Sequence, residues 1–140
     1  MLTVREATGD DLELCFALRR TVFIDEQEVP EDEEWDGLDD ACVHFLACWG
    51  DRPVGTARLR VVDGKAKAER VAVLADARKL GAGRAVMEAL QAEARRQGLP
   101  RVVLAAQLTA LPFYERLGYA AWGGVFDDAG IPHRWMGLDL

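Results

Sequence analysis

The stretch Arg78-Lys-Leu-Gly81-Ala-Gly83-Arg84 sets two glycines among three cations, three residues beyond the apolar run Val71–Leu74 and directly before a helix-forming segment. Glycine lets a chain turn tightly and approach a ligand closely. The free N–H groups and the dipole of a helix's first turn favour an anion there. With Arg78, Lys79 and Arg84 around the same point, a pyrophosphate is the natural guest. Further on, Tyr114 is a phenol that could give up a proton, or simply be a core aromatic with a satisfied hydroxyl. Groups that could take up a proton are Glu34, Asp36, Asp39, Glu69, His44 and His133. The chain contains no serine and no asparagine, so a serine nucleophile is excluded.

Periodicity and turn residues define the elements that must hold these groups. Leu2–Ala7 alternates as a strand. Thr8 with Asp11 has the form of a capping box, and Leu12, Cys15, Phe16, Val22 and Phe23 keep helical spacing. This predicts a helix over 10–20 that continues, broken, to about residue 25. Pro30 and Gly37 punctuate an acidic loop. Strands follow over 42–49, 53–61 and 66–74, with turns at Gly50-Asp51-Arg52 and Asp63-Gly64. A helix over 81–96 stops at Gly98-Leu99-Pro100. Residues 101–106 read as a buried strand, and 109–117 as a short helix with Pro112 in its first turn. Residues 119–126 and 133–138 close the chain as an antiparallel pair. The order β-α-β-β-β-α-β-α-β-β is an α/β arrangement, a mixed sheet with helices on its faces, in one domain over 1–140. Trp35, Trp49, Trp122 and Trp135 are expected in the core or along a substrate wall.

Three phosphate-binding designs compete for the glycine loop. A Walker loop requires G-x-x-x-x-G-K-[ST], which is absent. The Rossmann fingerprint requires G-x-G-x-x-G, and Val86 stands where the third small residue belongs. Arg78-x-x-Gly81-x-Gly83 fits [QR]-x-x-G-x-[GA], the coenzyme A pyrophosphate loop of the GNAT acyltransferase superfamily, which the chain resembles. A second motif supports this. Gln107-x-x-Ala110-x-x-Phe113-Tyr114-x-x-x-Gly118-Tyr119 is similar to the family's N-x-x-A-x-x-F-Y-x-x-x-G-[FY], with Gln107 replacing the usual asparagine. The segments Arg20-Thr-Val-Phe23 to Pro30, Glu34-Trp-Asp36-Gly-Leu-Asp39, His44, and Gly124-Val-Phe126 through Gly130-Ile-Pro132-His133 to Met136 resemble the ElaA/YjcF-like branch.

The resemblance implies a GNAT-like fold and an acetyl-CoA-dependent N-acetyltransferase that acts on an amine of a small molecule or peptide. It implies a coenzyme A site at Val71, Ala72, Val73, Arg78, Lys79, Leu80, Gly81, Ala82, Gly83, Arg84, Gln107, Phe113 and Tyr114. Within it, backbone groups of Val71–Leu74 would pair with the pantetheine arm, and Tyr114 would act as general acid toward the departing thiolate. Glu34, Asp36, His44 and Glu69 are candidate bases, alongside Asp39 and His133. The bland readings stand beside these: His44 as a structural histidine, and Glu34, Asp36 and Asp39 as caps on backbone N–H groups or as partners of Arg20, Arg58 or Arg60. Two alternatives are a non-catalytic acyl-CoA-binding regulatory module and an acyl-homoserine-lactone-synthase-like acyltransferase. A homodimer is a superfamily expectation.

Charge and cysteine content narrow the partners. Residues 1–51 carry three basic and fifteen acidic side chains, a net of −12, whereas residues 52–140 carry fourteen and nine, a net of +5. No basic stripe runs through the chain, so nucleic acid is not an expected partner. An acidic half beside a basic half suits an anionic cofactor and a cationic acceptor. No apolar run approaches the ~20 residues of a membrane span, and MLTVREATGD lacks a signal pattern. Three cysteines without C-x-x-C spacing point to a reduced, cytoplasmic protein and no disulfide framework. No spacing of histidines with carboxylates suggests a metal site.

Overall fold

Strand pairing converts the alternation along the chain into two chemically different faces of one sheet. The computed structural model describes residues 1–140. Its strands are β1 (Leu2–Ala7), β2 (Val43–Trp49), β3 (Arg52–Val62), β4 (Lys65–Val73), β5 (Arg101–Gln107), β6 (Ala120–Asp128) and β7 (Ile131–Asp139). Its α-helices are α1 (Asp11–Arg19), α2 (Glu31–Glu34), α3 (Ala82–Arg96) and α4 (Leu111–Arg116). The strands lie in the order β1-β2-β3-β4-β5-β7-β6. Every pairing is antiparallel except β4 with β5.

One face carries Ala57 and Leu59 of β3, Ala66 and Ala68 of β4, Val102, Leu104 and Ala106 of β5, and Met136 of β7. Val86, Met87, Leu90 and Ala94 of α3 close over them, all fully buried. Burying each larger aliphatic side chain contributes about 1.5–3 kcal/mol, which fixes α3 to this face. The other face is polar at its centre. Arg58 and Arg60 of β3 lie there across from Glu69 and Lys67 of β4, and α1 packs near them through a smaller core of Ala7, Cys15, Leu18, Leu46 and Cys48.

Three expectations are corrected. Thr8 and Asp11 do not form a capping box: Asp10 is the N-cap without a side-chain bond, and Asp11 accepts from Arg5 Nε and Nη2 at 2.8 and 3.0 Å instead. The acidic loop is not featureless, because α2 forms within it immediately after Pro30, whose ring suits a helix start. Trp49 and Trp122 are not core residues; they are 45% and 43% exposed. The broken continuation beyond α1 is a π-helical segment, Arg20–Glu26, with Gln27 N donating to Val22 O five residues back. Its β-branched Thr21, Val22 and Ile24 pack poorly against a regular α-turn, and such wide turns cluster at functional sites.

Candidate active site

β4 and β5 pair at only two positions, Ala66 with Val102 and Lys67 with Val103. Beyond them the strands separate, and the β4 edge that would have met β5 faces a cleft of about 870 Å³. The separation has a local cause in β4. Thr56 pairs with Ala72 and Arg58 with Glu69, so Arg70 and Val71 together oppose Ala57. Arg70 takes φ +55° in this bulge, a conformation that bends the strand and re-aims its neighbours. The cleft is walled by Val71–Val73 of β4, Leu104–Gln107 of β5, Val22, Phe23, Glu26 and Gln27 of the π-helical segment, and Tyr114 and His133.

The glycine loop follows the β4 wall. Gly81 sits at φ +84° as the N-cap of α3, which requires a residue without Cβ. Gly83 has a packing reason: a Cβ there would lie 3.1 Å from Phe113 Cζ, so it lets α4 approach α3. The loop's cations are partly engaged. Arg78 donates to Val73 O at 3.2 Å and to Glu26 Oε2 at 2.8 Å, and Arg84 pairs with Glu88 at 2.8 Å. Lys79 and Leu80 are exposed, while Ala82 is buried. Gln107, at the end of β5, donates to Gln27 Oε1 at 2.8 Å, tying β5 to the π-helical segment.

Tyr114 is 7% exposed and lines the cleft. Its ring sits edge-on to Phe113 at 4.9 Å and to Tyr119 at 5.8 Å. Burial pushes its phenol up, so it stays protonated, the state a proton donor needs. Tyr119 is occupied differently, its hydroxyl accepting from Gln91 Nε2 at 2.8 Å.

The candidate carboxylates form a clamp around three arginines. Arg19, 1% exposed, donates to Glu34 at 2.8 Å and Asp39 at 2.7 Å. Arg58, fully buried, donates to Asp36, Asp39 and Glu69, all at 2.7–3.0 Å. Arg70 reaches from the β4 bulge to Glu34 O and Asp36. Desolvation would raise the Glu69 carboxyl, but hydrogen bonds from Arg60 and Lys67 and the charge of Arg58 outweigh it and hold it at about 2. Arg58 likewise holds Asp36 well below the ordinary carboxylate range. Burial raises Glu34 against the pull of Arg19 and Arg70.

The structure therefore brings Glu34 and Glu69 to the cleft with Tyr114, Val71–Val73, Arg78 and Gln107. Asp36, Asp39 and His44 lie outside its lining. His44 is 3% exposed, with Nε2 2.9 Å from Asp39 O. Arg58 was legible as a partner of Asp36 and Asp39. Arg20 was not the partner it resembled in sequence, for it binds Glu31 at the surface; the buried partner is its neighbour Arg19. Glu26, Gln27 and Arg70 were missed, since nothing local marks a contact across the cleft. No group of three His, Cys, Asp or Glu side chains is placed to hold a metal ion, and no helix is long and apolar enough to cross a membrane.

The divided sheet with a glycine loop leading into α3 has counterparts among known acyltransferases. The acetyltransferase (GNAT) family model matches residues 9–119. The chain is 40% identical over 140 residues to YjcF of Bacillus subtilis strain 168, an uncharacterized N-acetyltransferase, covering 99% of this chain and 100% of that one. An acyl-CoA N-acyltransferase from Pseudomonas aeruginosa superposes with a TM-score of 0.82 at 30% identity, over 98% of this chain and 97% of the other. Escherichia coli ElaA superposes with a TM-score of 0.83 at 26% identity, over 98% and 99%. The chain belongs to the GNAT acetyltransferase family.

Proposed function

We propose that the protein transfers an acetyl group from acetyl-CoA directly to an amine of a small molecule or peptide. The observation that carries this is the division of β4 from β5 beyond Lys67, with the Arg78–Gly83 loop at one end of β4 and Tyr114 facing the gap. An extended thiol arm can add to the open β4 edge as a further strand would, with Val71–Val73 supplying backbone partners. The pyrophosphate then meets Arg78, Lys79 and the first turn of α3. Gln107 lies at the opposite wall, and Phe113 packs behind it against Gly83 and Tyr114. A β4 backbone N–H polarises the thioester carbonyl, and Tyr114 protonates the departing sulfur. Held side by side, thioester and amine need no covalent enzyme intermediate. The three free cysteines suit a reducing compartment such as the cytoplasm.

A non-catalytic acyl-CoA-binding module is the reading from another class, and the protonated, cleft-facing Tyr114 favours catalysis over it. Thermal unfolding with acetyl-CoA, coenzyme A, NAD and ATP in parallel tests the site. A ligand at a hundred times its Kd adds about 2.7 kcal/mol, a rise of several degrees in Tm for a domain of this size. A shift with the coenzyme A species alone, followed by amine-dependent thiol release, is the expected result. A shift without thiol release supports the binding module, and no shift removes the site.

A further inference from the structure

We propose that His133 is the general base that takes the proton from the attacking amine, an assignment that rests on the acyl-transfer reading above. His133 lies on β7, opposite Gln107 of β5 and Phe126 of β6. It lines the cleft and is 8% exposed. Its Nδ1 is 2.6 Å from Ile131 O. A carbonyl oxygen has no proton to donate, so Nδ1 carries the proton and the neutral ring keeps its lone pair on Nε2. The Phe126 ring stacks on the imidazole at 6.0 Å and 25°. Tautomer and ring plane are thus both set by neighbours, and Nε2 has no protein partner while remaining open to the cleft.

No other candidate combines these properties. Glu69 is held low by Arg60, Lys67 and Arg58 and is a weak base, while Glu34, although burial raises it, has its Oε2 engaged by both Arg19 and Arg70. Asp36, Asp39 and His44 lie away from the lining. The cations of the lining are paired, Lys67 with Glu69, Arg70 with Glu34 and Asp36, and Arg78 with Glu26. That leaves Glu33, on α2, and Asp128, where β6 turns into β7, as negative charges that suit a cationic acceptor.

The placement also separates acid from base. Alternation along β5 points Val102, Leu104 and Ala106 toward α3, while Gln107 and its partner His133 point to the other face. Tyr114 joins the core on the α3 face. A thioester held in the gap between β4 and β5 would have the acid on one side and the base on the other. The amine nitrogen bonds to the carbonyl carbon and its proton passes to His133 Nε2. The carbon–sulfur bond breaks and the thiolate takes the Tyr114 proton; both groups return to their starting states through solvent.

The test measures thiol release from acetyl-CoA with spermidine, kanamycin and a peptide with a free amino terminus as probe acceptors. For His133→Gln we expect kcat to fall about 10²–10³-fold, with the thermal shift by acetyl-CoA retained. His133→Ala should be equally slow and partly restored by added imidazole, which a structural role would not give. A Gln variant within about twofold of wild type overturns the assignment, as does loss of the acetyl-CoA shift in both variants or the absence of imidazole rescue. Wild-type protein that releases no thiol with any probe overturns the acyl-transfer reading itself, and the base with it.

Discussion

Glu26 Oε2 lies 2.8 Å from Arg78 Nη2, so the first cation of the glycine loop is held by a carboxylate of the π-helical segment. Both side chains are near 40% exposed, and a pair of that kind contributes about 0.2–1 kcal/mol. An incoming pyrophosphate must compete with Glu26 for the same guanidinium. Glu26→Gln should therefore tighten acetyl-CoA binding, by up to about fivefold at low salt, with the gain shrinking as salt rises. Isothermal titration at two ionic strengths measures it; weaker binding by the variant would show that Glu26 positions Arg78 for the ligand instead.

Tyr114→Phe separates catalysis from packing. Gln91 bonds the hydroxyl of Tyr119, whereas Tyr114 lines the cleft, so removing its hydroxyl should leave Tm within about 2 °C. Turnover should fall about 10²-fold with the Kd for acetyl-CoA little changed. Equal turnover in the variant and wild type would remove Tyr114 from the reaction.

The glycine turn before α3 was legible because its physics is local: Gly81 takes φ +84° at the helix start, and the cations lie close to it in sequence. The succession of strands and helices along the chain was legible for the same reason, from turns at Asp63-Gly64 and Gly98-Leu99-Pro100. The division of β4 from β5 was not, because it depends on pairing between residues far apart in sequence and on a bulge at Arg70. The clamp was half legible. Arg58 was among the arginines that could pair with these carboxylates, but Arg19 and Arg20 are adjacent and identical in type. Only the packing of α1 decides that Arg19 is buried against Glu34 and Asp39 while Arg20 faces solvent.

Glu69 makes the clamp sensitive to acid. Its carboxyl sits at about 2 in the fold, below the ordinary 4.5. Between those values the unfolded chain binds the extra proton, so stability rises with pH there and is lost as pH falls. The stabilisation is fully present above about pH 5 and amounts to about 3 kcal/mol at most. Urea unfolding at intervals from pH 6 to pH 2 should show a steep loss in the wild type and a flatter one in Glu69→Gln. Parallel curves would place the acid sensitivity in other carboxylates.

Gly83→Ala sets two effects of similar size against each other. Alanine in the first turn of α3 gains up to about 1 kcal/mol over glycine. The new Cβ would stand 3.1 Å from Phe113 Cζ and 3.3 Å from Cε1, an overpacking that costs about 1–3 kcal/mol. Net stability should change by less than about 2 kcal/mol, but the geometry cannot stay the same. Phe113 must move away from α3, and Tyr114 moves with it, because the two rings are adjacent and in edge contact. Displacing a proton donor by a fraction of an ångström is enough to slow turnover about tenfold or more. Comparing kcat with Tm decides the matter: a large kinetic loss at nearly constant Tm places Gly83 as the residue that lets α4 present Tyr114. Unchanged turnover would instead mean that Phe113 yields alone and that the close approach of α3 and α4 serves packing only.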